Sequence, residues 1–298
     1  MLIFSGSSNK PLAQKVAKYF GKEVSPLEIF TFPDGEKRVT LGERAVGETV
    51  ILVQSTNPPV DANYMELFLM VDALKRSGAE FVKLLMPYMG YQRQDHIFRD
   101  GEGVSLEIMA KIIEAVGVSE VFAFDVHSIK IPEIFTIPTH NLSALPIFAE
   151  KIKESFSGQE PILVSPDMGG IRRIKEISEM LNIPFTTIVK DRDLNTGNIC
   201  DSKLNGEVAG KQALMIDDMM STGETMIKAA DLLLENGATG VFAFATHAIL
   251  SGIASQKLQE SKIEKVFVTD TVEIPDENLF PKLEIVSISK IAADAILE

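Results

Sequence analysis

Residues 213–249 read ALMIDDMMSTGETMIKAADLLLENGATGVFAFATHAI, and the fold turns on this run. Its first segment, Ala213 to Ile216, has the unbroken hydrophobicity of a buried parallel strand. Asp217 and Asp218 stand where that strand is expected to leave the sheet. A turn, Ser221-Thr222-Gly223-Glu224-Thr225, follows, and MIKAADLLLENGA then repeats apolar residues at helical spacing up to Gly237. GVFAFATH completes a strand–helix–strand unit, the building block of a parallel sheet. A turn that opens a helix attracts phosphate through its N–H groups and the positive end of the helix dipole. Carboxylates at the carboxyl end of a strand accept hydrogen bonds from sugar hydroxyls or hold a divalent ion. The plainer reading is a connection whose Ser and Thr cap the helix.

The end of this run has a counterpart upstream. GVSEVFAFDVHSI (117–129) and GATGVFAFATHAI (237–249) lie 120 residues apart and share seven of thirteen positions. Each follows an apolar helix, and each reads as a strand that delivers a histidine. The chain is therefore expected to be a duplicated α/β protein: two similar domains, 1–142 and 143–298, each a mostly parallel sheet flanked by helices. The alternation holds elsewhere. Strands are expected at ETVILVQST (48–56), FVKLLMPY (81–88) and PILVSPD (161–167), and helices at 64–79, 105–116 and IRRIKEISEML (171–181). SISKIAADAILE (287–298) is a last helix, a candidate to pack back on the first domain.

Composition bounds the rest. At 298 residues, 45% hydrophobic and 24% charged, the chain is an ordinary globular protein. A net charge of −13 argues against nucleic acid or an anionic membrane as partner, though a local Arg and Lys cluster can still oppose that field. The lone cysteine, Cys200, excludes an intrachain disulfide and fits a reducing, cytoplasmic setting. MLIFSGSSN lacks a basic leader, and no apolar run approaches the ~20 residues of a membrane span. There is no GxxxxGK[ST], GxGxxG after a strand, CxxC, HExxH or GxSxG, so P-loop, dinucleotide, zinc and serine-hydrolase readings have no anchor.

The two halves differ where chemistry is expected. After strand 81–88 the loop holds Arg93, Gln94, Asp95, His96 and Arg99, cationic donors suited to a polyphosphate or, more plainly, surface ion pairs. The acidic pair and hydroxyl-rich turn occupy the matching place in the second half. His127 follows Asp125 at a strand end and reads as a metal ligand, a phosphate donor or a fold feature shared with His247. Asp167, in SPDMGG, reads as a ligand for a divalent ion or ribose hydroxyl, or as a helix cap. Lys190 and Arg192 alternate on one face of an extended chain, either toward one phosphate or as a charged edge. Phe32, Asp34, Gly35 and Glu36 sit in a turn whose aromatic is able to stack on a base.

Taken in order, FPDGE, PYMGYQRQD, DVHS, VSPDMGG, VKDR and IDDMMSTGET resemble the ribose-phosphate pyrophosphokinase family nearly end to end. The last motif alone is similar to the loop of type I phosphoribosyltransferases, which lack FPDGE and YQRQD. The resemblance implies two phosphoribosyltransferase-like domains and a Mg2+-dependent kinase of nucleotide biosynthesis. Such an enzyme transfers the diphosphoryl group of ATP to the 1-hydroxyl of ribose 5-phosphate, giving phosphoribosyl pyrophosphate and AMP. It implies Phe32, Asp34, Gly35, Glu36, Arg93, Gln94 and Asp95 on ATP. Asp217, Asp218, Ser221, Thr222, Gly223, Glu224 and Thr225, with Arg192, fall on ribose 5-phosphate. Lys190 and Arg192 are catalytic, and His127 and Asp167 serve Mg2+. It further implies a cytoplasmic homo-oligomer, at least a dimer, with the adenine site shared between subunits. Ser221 stands where many members carry a third Asp, which lowers the local charge. IKIPEIF (129–135) stands in place of the QGFF-containing segment of the family's regulated members, so the resemblance leaves open both allosteric control by phosphate or ADP and the choice among dimer, tetramer and hexamer. Two alternatives are a phosphoribosyltransferase, disfavoured by the duplication, and a non-catalytic regulatory paralogue, disfavoured by the presence of Lys190 and Arg192.

Overall fold

The structure, a computed structural model, describes residues 1–97, 99–127, 131–192 and 199–298, with the backbone alone at 132, 190–192 and 199–202. The chain divides into two compact units. The first holds Met1–Ser143, Thr271–Glu273 and Ser287–Glu298; the second holds Ala144–Asp270 and Ile274–Val286.

In the first unit the chain forms β1 (Leu2–Ser5), α1 (Lys10–Tyr19), β2 (Leu27–Thr31), β3 (Lys37–Leu41), β4 (Thr49–Val53) and α2 (Val60–Arg76). It continues through β5 (Phe81–Leu85), α3 (Ser105–Ala115), β6 (Glu120–Phe124), α4 (Ile131–Ile134) and β7 (Thr139–Leu142). The sheet has the order β1-β4-β5-β6-β7, every neighbour parallel. Alternate residues Phe4, Val50, Leu52, Val82, Leu84, Val121 and Ala123 share one core with the apolar faces of α2 and α3. Period-2 alternation along the strands meets helical spacing on the other side. β2 and β3 form a separate antiparallel hairpin whose Leu27, Ile29, Val39 and Leu41 pack against the same core.

The second unit runs α5 (Leu145–Ser155), β8 (Pro161–Ser165), α6 (Ile171–Leu181), β9 (Phe185–Arg192), β10 (Ile199–Leu204) and β11 (Gln212–Met220). α7 (Glu224–Glu235), β12 (Gly240–Ala248), α8 (Ala254–Glu260), β13 (Lys265–Thr269) and β14 (Leu283–Val286) follow. The sheet order is β10-β9-β8-β11-β12-β13-β14, parallel except for β9 against β10. Its core joins Val164, Ala213, Met215, Val241, Ala243 and Val266 to Met226, Ala230 and Leu233 of α7. The last helix, α9 (Ser289–Leu297), belongs to the first unit, where it packs on α1.

Three strands run on past their apolar cores. β11 continues through both aspartates to Met220, held by β12 as far as the Met220–Ala248 register pair. β9 keeps its strand backbone through Lys190 and Arg192, opposite β10, in keeping with the extended chain expected there. β12 carries His247 inside the sheet, fully buried, whereas β6 stops at Phe124 and leaves His127 beyond its end. The paired histidines are thus not equivalent. Ladder hydrogen bonds from a neighbouring strand hold polar residues in the sheet that hydrophobic pattern alone leaves out.

Candidate functional site

In the second unit the place is made by unequal strand lengths. β8 pairs with β11 only as far as Met215, so Asp217 and Asp218 lie past the end of one neighbour and still beside the other. β8 and β11 are also the neighbours between which the strand order reverses, the switch point outside whose carboxyl ends ligands bind in open α/β folds. Asp218 is 6% exposed. The Asp217 carboxylate accepts the N–H of Asp218 at 2.9 Å and faces the Arg173 guanidinium at 3.4 Å. Arg173 reaches Asp218 as well, Nη2 to Oδ2 at 3.4 Å. Burial pushes the Asp217 carboxyl well above its ordinary range, the nearby Asp218 carboxylate adds to the rise, and Arg173 opposes it.

The turn that follows is sewn to the exit of β12. Ile249 N–H donates to the Met220 carbonyl at 2.9 Å, Ser251 N–H to the Ser221 carbonyl at 3.0 Å, and the Ser221 and Ser251 hydroxyls lie 3.3 Å apart. Gly223 is the N-cap of α7 with φ 74°, and no side chain caps the helix. The capped-connection reading therefore fails: neither Ser221 nor Thr222 accepts from the first turn. A Cβ at Gly223 would lie 3.1 Å from Leu258 Cγ, so both the left-handed backbone and the close approach call for glycine. Thr222, Glu224 and Thr225 are exposed, and Glu224 turns its carboxylate outward onto Lys257 at 2.8 Å. What this turn presents is main-chain N–H at a helix start, the donor set for a phosphate.

Asp167 ends β8. Its Oδ1 accepts Gly169 N–H at 3.0 Å, capping a 3-10 turn over Met168–Gly170 that leads into α6. One carboxylate oxygen thus has a capping role, and the group sits close enough to Asp217 to raise its pKa. A partly exposed carboxylate of this kind fits Mg2+, which with a nucleotide keeps phosphate and water ligands and needs only one or two protein carboxylates. Among the described residues no group of three His, Cys, Asp or Glu gathers as a metal cage. Lys190 and Arg192 lie on the β9 backbone, and their side chains fall outside the described residues.

In the first unit, Asp125 turns the chain after β6 with φ 35°. The next two N–H groups are then caught by side-chain carbonyls: Val126 by Asn141 at 3.0 Å, His127 by buried Gln92 at 2.8 Å. His127 is consequently exposed, on a backbone anchored to the 87–95 loop. In that loop Arg93 is exposed, Gln94 accepts the Ser105 hydroxyl at 3.0 Å, and Asp95 meets His96 at 2.5 Å. At the hairpin tip, Phe32 N–H donates to the Glu36 carbonyl at 2.8 Å, Gly35 has φ 94°, and Asp34 accepts Glu36 N–H at 3.2 Å. The half-exposed ring of Phe32 lies edge-on to Phe30 at 5.0 Å, with the Arg38 guanidinium over both. The base of the hairpin is fixed by Lys37 on the fully buried Glu66 carboxylate at 2.6 Å.

Arg173, Gln92, Glu66 and Arg38 are the residues that sequence reasoning missed. Arg173 carried a faint signal, since it flanks the Ile171, Ile174 and Ile177 stripe of an amphipathic helix opening directly after SPDMGG.

The comparisons with known proteins agree across the whole chain. Residues 1–117 match the N-terminal domain of ribose phosphate pyrophosphokinase, and residues 177–298 match the phosphoribosyl synthetase-associated domain. "Ribose-phosphate pyrophosphokinase 1" of Streptococcus mutans is 40% identical over 99% of this chain and 92% of its own length. "Ribose-phosphate pyrophosphokinase" of Caldanaerobacter subterraneus is 38% identical over 99% and 93%. Among solved structures, phosphoribosylpyrophosphate synthetase from Mycobacterium smegmatis superposes with a TM-score of 0.94 at 31% identity, covering 99% of this chain and 97% of that one. With a strand-end acid pair, a helix start free of a side-chain cap and full-length relatives at this identity, the chain belongs to the ribose-phosphate pyrophosphokinase family.

Proposed function

We infer that the protein is a ribose-phosphate diphosphokinase: it moves the diphosphoryl group of ATP to the 1-hydroxyl of ribose 5-phosphate, forming phosphoribosyl pyrophosphate and AMP. The observation that carries this reading is the junction of β11 with α7, two carboxylates followed by a turn that offers N–H groups at a helix start. Asp217 and Asp218 accept from ribose hydroxyls. Ser221, Thr222, Gly223, Glu224 and Thr225 cradle the 5-phosphate. ATP falls to the first unit, with Arg93, Gln94 and Asp95 on the phosphates and Phe32, Asp34, Gly35 and Glu36 on adenine. In the reaction the 1-hydroxyl oxygen bonds to the β-phosphorus, the bond from that phosphorus to the α–β bridging oxygen breaks, and the hydroxyl proton is lost.

Such a transfer gives the protein little covalent work, so positioning and charge neutralisation dominate. Lys190 and Arg192 neutralise the oxygens of the moving group, and Arg192 also contacts ribose 5-phosphate. Asp167 in the second unit and His127 in the first are the residues that would serve Mg2+, which when bound would supply charge neutralisation to phosphate oxygens. The half-exposed Phe32 at a free hairpin tip supports an adenine site shared with a neighbouring subunit in a homo-oligomer, at least a dimer. Among the described residues no helix is long and apolar enough to cross a membrane. A cytoplasmic location suits a chain with a single cysteine.

Incubation with Mg2+, ATP and ribose 5-phosphate should yield AMP and phosphoribosyl pyrophosphate in equal amounts; ADP as product would overturn the reading. Lys190→Ala should lower turnover by about 10²–10³-fold, the loss seen when a preorganised charge-stabilising donor is removed. ATP affinity should stay near normal, and unimpaired turnover would remove Lys190 from the chemistry.

A further inference from the structure

Neighbouring residues on a strand point to opposite faces, so two consecutive aspartates do not ordinarily act as one acceptor site. Here a single guanidinium reaches both. Arg173, in the first turn of α6, has its side chain 19% exposed, with Nη1 3.4 Å from Asp217 Oδ1 and Nη2 3.4 Å from Asp218 Oδ2. The rigid fork of arginine is the side chain suited to spanning two carboxylates; a lysine presents a point charge. Both distances exceed the ~2.7–2.9 Å of a tight charge-assisted hydrogen bond, so the carboxylates keep acceptor capacity for another group. Asp217 is further fixed by the N–H of Asp218 at 2.9 Å. Arg172, its neighbour, points into solvent and has no such role.

We propose that Arg173 is the positioning residue of the ribose subsite. Its guanidinium bridges Asp217 and Asp218, holds both carboxyl groups as acceptors converging on one place, and acts on the sugar only through them. The inference deepens the assignment of this pair to the ribose hydroxyls and rests on it. The burial and the like charge that make Asp217 reluctant to ionise are what a bridging cation offsets. A side chain that touched substrate itself would affect binding whether or not the aspartates were present; a bridge would not.

That difference is the test. Arg173→Met should raise KM for ribose 5-phosphate about tenfold, equivalent to the ~1.4 kcal/mol of one hydrogen bond to a charged group. KM for ATP and kcat should stay close to native, and circular dichroism should report an unchanged fold. Arg173→Lys should recover part of the loss, since it restores the charge but not the span. In the Asp217→Asn, Asp218→Asn background, adding Arg173→Met should leave KM nearly unchanged. A native KM for ribose 5-phosphate in Arg173→Met, alongside a raised one in the double-asparagine protein, overturns the bridge and keeps the ribose assignment. An undiminished effect of Arg173→Met in that background also overturns it, by showing direct contact with substrate. A native KM in the double-asparagine protein removes the ribose assignment and the bridge together. Should Arg173→Met fail to fold, Arg173→Lys carries the same comparison in both backgrounds.

Discussion

Asp217 holds its proton to higher pH than a carboxyl in water does, because burial, Asp218 and Asp167 all disfavour its charged form and Arg173 alone among these groups favours it. The consequence for stability has a definite sign. An acid whose folded pKa lies above its unfolded value stabilises the fold most below the unfolded pKa, and that contribution is lost as pH rises through the folded pKa. Charging Asp217 in the folded protein therefore costs stability that the site accepts for function. Asp217→Asn retains an oxygen for the N–H of Asp218 but carries no charge. Its melting temperature should exceed that of the native protein at neutral pH, and the two should converge as pH falls toward the ordinary Asp value of 3.8, measured by calorimetry across pH. Stabilisation that persists unchanged at low pH would mean that packing, not charge, is responsible. The same variant should bind ribose 5-phosphate less well, the usual opposition of stability and activity at a polar site.

At the scale of elements, the hairpin β2–β3 depends on one buried residue of α2. Glu66 accepts from Lys37 at 2.6 Å, from the Ser7 N–H at 2.6 Å and hydroxyl at 2.9 Å, and from Gln54 at 3.2 Å. Truncating it strands a half-buried ammonium and several donors at once. Glu66→Ala should lower the unfolding free energy by about 3 kcal/mol, the usual cost of breaking a buried pair from one side. It should also raise KM for ATP more than KM for ribose 5-phosphate, because the hairpin tip loses its base. A loss below ~1 kcal/mol in urea titration would put this pair with ordinary surface ion pairs. The elements themselves were largely legible. α6 spans the residues that IRRIKEISEML predicts, since its isoleucine spacing is a local signal. α2 instead begins at Val60, four residues ahead of the expected start, because its first turn, VDAN, mixes apolar Val60 and Ala62 with polar Asp61 and Asn63 and so breaks the apolar run. What sequence could not show is pairing across the chain: Arg173 with Asp217 spans 44 positions, Gln92 with His127 35, and Lys37 with Glu66 29. No periodicity encodes such partners. The acid pair and the turn were legible as a motif, but their emergence beside a prematurely ended β8 depends on how two strands differ in length.

For the whole molecule, chain order and spatial order part company at the end. After the second unit is nearly complete, residues 271–273 return to the first unit, and after β14 the chain returns again to place α9 there. The return is well anchored. Ser55 donates its hydroxyl to the Thr271 carbonyl at 2.5 Å, and Lys83 donates to the Ile296 carbonyl at 3.2 Å. Ile288, Ala292, Ala293 and Ile296 are buried, and α9 packs on α1. Burying Ile288 and Ile296 alone is worth roughly 1.5–3 kcal/mol each. Against the ~5–15 kcal/mol that holds a domain folded, the last helix is a large share of the first unit's stability. Removing residues 287–298 should thus destabilise residues 1–143, on the far side of the sequence, more than the second unit that precedes the cut. Hydrogen exchange should show faster exchange in β1, α1 and β4, with β11 and β12 still protected, and limited proteolysis should cleave first within residues 1–143. If protection were lost first in β11 and β12, α9 would be a support of the second unit, and the division of the chain drawn from its contacts would be wrong.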